Sequence, residues 1–141
     1  MTVNGTFAFK KANDTFYLDE AGSSSFTDDY LAISGNVASA FVGVGALGLT
    51  LNDVDFGVLL VTDTVSTFSY SAVSATVDNA TFAGIPGLTA TVSAASFRMN
   101  QTSNPLSNAV LDFAGAGHEF GFAGTALTLT MSHTEGGLIE A

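Results

Sequence analysis

The 141-residue chain reads as all-β: an antiparallel sheet folded over as an elongated sandwich or roll. Three observations predict this. Apolar residues make up 47% of the chain and charged residues only 11%, so it has ample material for a core. Thr, Val and Phe, which favour strands, are abundant, and 15 glycines with Asn and Asp supply turns. Apolar residues also recur with period two, as in Leu47, Leu49 and Leu51, the signature of a half-buried strand.

The organising stretch is Phe41 to Val61, FVGVGALGLTLNDVDFGVLLV. It reads as strand, a break at Asn52–Asp55, then strand. Across the break the apolar set moves from odd numbers to even ones: Phe56, Val58, Leu60. A one-residue slip flips every side chain to the other face, so a bulge or tight turn must absorb it. Upstream, Val3, Gly5, Phe7 and Phe9 alternate, KKANDT offers turn residues, and Phe16 and Leu18 restart a strand, which together read as a hairpin. Asp19 to Tyr30 reads as a polar loop. Leu31, Ile33, Val37 and Phe41 lead into the organising stretch.

Downstream, TDTVST is a connection, and Phe68, Tyr70, Val73, Val77 and Phe82 mark a long strand punctuated by Pro86-Gly87. Leu88, Ala90 and Val92 alternate, and the parity changes again before Phe97 and Met99. Asn100 to Asn108 reads as a loop. In AVLDFAGAGHEFGFAG the glycines suit close backbone approach. Leu127, Leu129 and Met131 alternate before the turn-rich HTEGG and a final LIEA.

The net charge of −10 comes from a shortage of bases, since Lys10, Lys11 and Arg98 are the only ones. That argues against nucleic-acid or anionic-membrane partners, which need clustered Lys and Arg. It suits a secreted or bacterial cell-surface protein, because trypsin-like proteases find little to cut. Cys is absent, so there is no disulfide framework or thiolate metal site. Met1-Thr2-Val3-Asn4 leads straight into a strand pattern, with no signal peptide visible. No run reaches the roughly 18 apolar residues of a membrane helix, so no membrane insertion is expected.

FVGVGALGLTLN, TFAGIPGLTATV and FGFAGTALTLTM share one design: an aromatic, a glycine, then a Leu/Thr alternation. Gly43, Gly84 and Gly124 recur at intervals of about forty residues, long for a β-solenoid coil and suited to a pair of strands. The chain is therefore expected to be a single β-repeat domain over residues 1–141, about one period of a tandem array, with a β-solenoid as the alternative. In such an array, neighbouring copies would cover each other's edges or ends. LTLNDVDFGVLLVTD, FSYSAVSATVDNATFAGIPGLTATVSAASFRMNQ, VLDFAGAG and VNGTFAF resemble the repeat modules of very large bacterial secreted or cell-surface, adhesin-like proteins. The resemblance implies a stalk or contact surface and no catalytic residues.

Few residues carry chemistry. Asp53 and Asp55, with Asp63 following, could share a Ca²⁺, which takes six to eight oxygens. Asp28/Asp29 is a second acidic pair. His118-Glu119 and His133 with Glu135 are the only His clusters; pairing could bring the two His together, but zinc needs a third and usually a fourth ligand. No Ser sits in a G-x-S-x-G context, no phosphate loop is present, and without Trp a glycosidase cleft lacks its usual lining. N-x-S/T sequons at Asn4, Asn13, Asn79 and Asn100 read as polar turns. The expectation is a non-enzymatic structural or adhesive module. The alternatives are a carbohydrate- or Ca²⁺-binding module, with surface glycans as partners, or a self-assembling filament subunit.

Overall fold

The computed structural model describes residues 1–105, 109–135 and 139–140. Five long strands dominate: β1 (Thr2–Tyr17), β2 (Ser25–Val44), β3 (Leu47–Thr62), β4 (Ser69–Ile85) and β5 (Leu88–Thr102). β6 (Phe120–Gly121) and β7 (Thr128–Leu129) form a separate small hairpin, and β8 (Ile139–Glu140) pairs with β5. The large sheet is an antiparallel meander in which chain order is spatial order. Its main strands run 15 to 20 residues, far beyond the usual five or six, and span roughly 50–65 Å. The all-β antiparallel expectation is met, with a folded-over sheet rather than a closed barrel.

Three boundaries differ from the sequence reading. KKANDT is no turn, because β1 runs unbroken through it. Its polar residues find partners across the strand pair instead: Asn13 donates to Asp29 at 3.1 Å, and the Thr15 and Thr27 hydroxyls bond at 2.8 Å. By the same pairing, Phe26 to Tyr30 belong to β2, and the loop shrinks to the residues around Gly22, closed by a bond from the Ser23 amide to Asp19. β5 likewise takes in Asn100, Gln101 and Thr102, so the following loop starts later; part of it and of HTEGG lies outside the described residues.

The parity shifts have a common cause. Pairing steps from Val37–Val54 to Ser39–Asn52, from Val54–Val77 to Asn52–Asn79, and from Val77–Ala95 to Asn79–Ser93. Ala38, Asp53, Asp78 and Ala94 thus form a skipped row across four strands. Asp53 and Ala94 have positive φ, 49° and 55°. On β1 the same step runs from Gly5 to Asn4 with nothing skipped, so β2 carries an extra residue there. β1 therefore keeps a plain alternation, with Val3, Gly5, Phe7 and Phe9 on one face. Residues directly opposite one another share a face, so Val37, paired with Gly5, and Ala40, paired with Val3, lie on that face too. They are three apart in sequence. The bend absorbs the slip and keeps the apolar set on one side along the whole sheet.

The core lies on the other face, at the end of the sheet away from the β2–β3 and β4–β5 turns. There the segment after Val110 folds back over Phe16, Tyr30, Ala32, Leu59, Val61, Tyr70 and Ala72, placing Leu111, Phe113, Phe122, Leu129 and Met131 against them. Glycine makes room for this cover: a Cβ on Gly57 would sit inside the Phe122 ring. Ser34 donates to the Ala123 carbonyl at 2.7 Å, and Asn100 to the Leu111 carbonyl at 2.8 Å. The cover stops near this row. Beyond it the same face is polar: Asn36 bonds Asp55 across the strands, and Thr81 bonds Asn79 along one.

Candidate functional site

Two features could carry function: a buried carboxylate beneath two histidines, and the uncovered face of the sheet. The first grows from VLDFAGAGH. Leu111 and Phe113 are both buried, yet so is Asp112 between them. The Asp112 amide bonds the Tyr17 carbonyl at 2.7 Å and the Phe113 amide bonds that of Met131 at 2.8 Å, which ties this segment to β1 and to the chain beyond β7. The Asp112 carboxylate accepts four hydrogen bonds: from the Gly115 amide at 2.9 Å, His118 Nδ1 at 2.8 Å, the His133 amide at 3.1 Å and His133 Nδ1 at 2.9 Å. Burial pushes the carboxyl upward, but these bonds outweigh it and hold Asp112 well below the usual carboxylate range. An ionised carboxylate only accepts, so both Nδ1 atoms carry hydrogen. The His118 ring also stacks on Tyr17 with centroids 3.8 Å apart.

His118 and His133 meet at one carboxylate, though neither lies in a strand: the partner that unites them is Asp112, an acid the sequence motifs do not single out. A lone acid inside an apolar run was the available signal. The bonds holding both rings run to Asp112, not to a nucleophilic hydroxyl. Chemically the cluster is a latch. It fastens the turn at His118 and the 3-10 turn at His133–Glu135 to a single buried charge.

Of the acids expected to share calcium, Asp63 lies apart from Asp53 and Asp55. Asp53 sits in the bend row, and Asp55 accepts from Asn36 at 2.8 Å. Asp63 closes the β3–β4 turn, accepting from the Val65 amide at 2.9 Å, some 26 Å along the strand from Asp55. A hydrogen bond from Ser66 is the main reason that the Asp63 carboxyl titrates low. Asp28 accepts from the amide and hydroxyl of Thr64, while Asp29 takes the Asn13 amide. Among the described residues no group of three or more His, Cys, Asp or Glu side chains is placed to hold a metal ion.

The second feature is larger. On the face opposite the core, cross-strand rows read Phe9–Ile33–Val58–Val73–Met99, then Phe7–Gly35–Phe56–Ala75–Phe97, then Gly5–Val37–Val54–Val77–Ala95. Past the bend come Val3–Ala40–Leu51–Ala80–Val92 and, at the tips, Val42 with Leu49 and Val44 with Leu47. None of these residues is charged, and no other element of the described chain packs over them. Phe9 is 72% exposed and Val42 52%. Among the described residues, the exposed large apolar side chains other than Met1 and Val65 all belong to this face. Toward the core end lies an open trough of about 700 Å³, lined among others by Leu31, Leu60, Lys11, Asp29, Ser71 and Gln101.

Fold and surface define an antiparallel β-sheet protein whose candidate site is a broad apolar face rather than a cleft. Comparison with protein-family models, with curated proteins and with solved structures finds no match. The FVGVGALGLTLN and TFAGIPGLTATV stretches form the β2–β3 and β4–β5 turns, and FGFAGTALTLTM spans β6 and β7, so all three are hairpins. No helix among the described residues is long and apolar enough to cross a membrane, a statement that does not extend to strands.

Proposed function

We propose that this chain is a structural module of a large extracellular bacterial protein, working as a stalk or spacer through sheet packing rather than catalysis. The observation that carries the reading is the open apolar face, which spans five strands and whose rows from Phe9–Met99 to the β2–β3 turn hold no charged residue. Monomeric soluble proteins rarely expose contiguous apolar patches beyond a few hundred Å². The scarcity of Lys and Arg supports an extracellular setting, and the meander suits a load-bearing role because adjacent strands are joined along nearly their whole length. β1 leaves one edge of the sheet open to a neighbouring copy.

The trough favours a second reading, a carbohydrate-binding module, since hydroxyl and amide side chains line it beside Leu31 and Leu60. One experiment separates the two. Thermal unfolding is followed with calcium, with chelator, and with a panel of oligosaccharides. A structural module shows no shift in any arm. A shift of several degrees with a sugar or with calcium, from binding to the folded state, overturns the structural reading.

A further inference from the structure

We propose that the open apolar face is the interface of a homodimer: two copies pack face to face as a two-layer sandwich, related by a two-fold axis that sets their long strands antiparallel. The proposal goes beyond the stalk reading and does not depend on it. Size comes first. Four strands of about twelve residues, with β1 adding about seven, at a spacing of roughly 4.8 Å and a rise of roughly 3.3 Å, give a face of about 900 Å² per copy. Two such faces come to about 1,800 Å², within the range of a standard stable interface of roughly 1,600 Å².

Chemistry comes second. Each sheet of a sandwich turns one apolar face inward and one polar face outward. The reverse side of this half of the sheet is already polar, with rows such as Asn4–Ser39–Asn52–Asn79–Ser93. What the single chain lacks is the second layer. Of the acids in this half, Asp55 bonds Asn36 on the polar face, and Asp53 and Asp78 sit in the bend row, unpaired in the register between the apolar rows on either side of it.

Charge sets the orientation. Asp14, Asp19, Glu20, Asp28, Asp29 and Asp63, with Glu119 and Glu135, gather toward the core end of the sheet. Parallel stacking would place two such acidic ends together. Antiparallel stacking places them at opposite ends, roughly 50 Å apart by strand length and well beyond the Debye length at physiological salt.

The test uses the chain's lack of cysteine. Sedimentation equilibrium at micromolar concentrations is expected to give a dimer. Leu49→Lys, on the open face, should raise the dissociation constant at least a hundredfold, while Thr50→Lys, its neighbour on the polar face, changes it less than threefold. Circular dichroism melts of both variants verify that each still folds. Among single-cysteine variants, Val54→Cys near the middle of the face should cross-link to itself under mild oxidation. Leu47→Cys should cross-link only when mixed with Leu31→Cys. A strictly monomeric chain at 100 μM, a dimer indifferent to Leu49→Lys, or Leu47→Cys cross-linking efficiently to itself would each overturn the proposal. So would a monomer that co-sediments with neutral phosphatidylcholine vesicles, which would assign the face to a bilayer.

Discussion

Replacing Asp112 with alanine should open the cover at its latch. The carboxylate is fully buried and accepts four hydrogen bonds, two of them from imidazole rings. Hydrogen bonds to a charged group contribute about 1.5–3 kcal/mol each, and a shared acceptor makes them non-additive. Removing one partner of a buried ionic cluster costs about 3–5 kcal/mol, which sets the expected loss. With an unfolding entropy near 2.1 cal/mol/K per residue, that loss lowers Tm by about 10–17 °C.

The pH dependence has a definite sign. The folded Asp112 titrates below its unfolded value of about 3.9, so its contribution is fully present above that value and fades as pH falls through the folded pKa. Paired melts of wild type and Asp112→Ala by circular dichroism, at pH 7 and at steps down from pH 4, test both points. The gap should be widest at pH 7 and narrow steadily in acid. Hydrogen exchange at the Phe113 amide, which bonds Met131, should accelerate in the variant. Melts agreeing within about 2 °C at pH 7, or a gap unchanged by acid, would show that the latch does not hold the cover.

Two further substitutions probe the backbone. Gly57→Ala places a Cβ inside the Phe122 ring, and overpacking of this kind should destabilise by about 1–3 kcal/mol, read from the denaturant midpoint. Ala94→Gly relieves a non-glycine residue at φ 55° and should stabilise by about 0.5–1 kcal/mol, whereas Ala94→Val should destabilise; a loss of stability in the glycine variant would contradict the bend geometry.

Much of the sheet was legible because its strands are long and alternate cleanly. The changes of parity at Asn52–Asp55 and before Phe97 were visible as number patterns, and both coincide with left-handed residues, Asp53 and Ala94. What could not be read was that the two lie in one transverse row, since register is a tertiary fact. The boundaries failed where polar residues look alike in turns and in exposed strand pairs: Asn13 opposite Asp29 and Thr15 opposite Thr27 are turn-formers by composition and ladder partners in fact. The two histidines were visible but their meeting point was not. Asp112 is six residues from one and 21 from the other, and neither separation matches a known ligand spacing. Alternation alone would have turned Asp112 away from the face taken by Leu111 and Phe113, yet all three are buried.

The extra residue that β2 carries beside β1 makes neighbouring strands unequal in path length, and unequal rails cannot run straight. A sheet with one such shortened margin curves about it. Any ribbon grown by joining these molecules margin to margin would therefore turn a little with every subunit added. Such growth winds into an arc or ring of limited size instead of a flat, endless fibril.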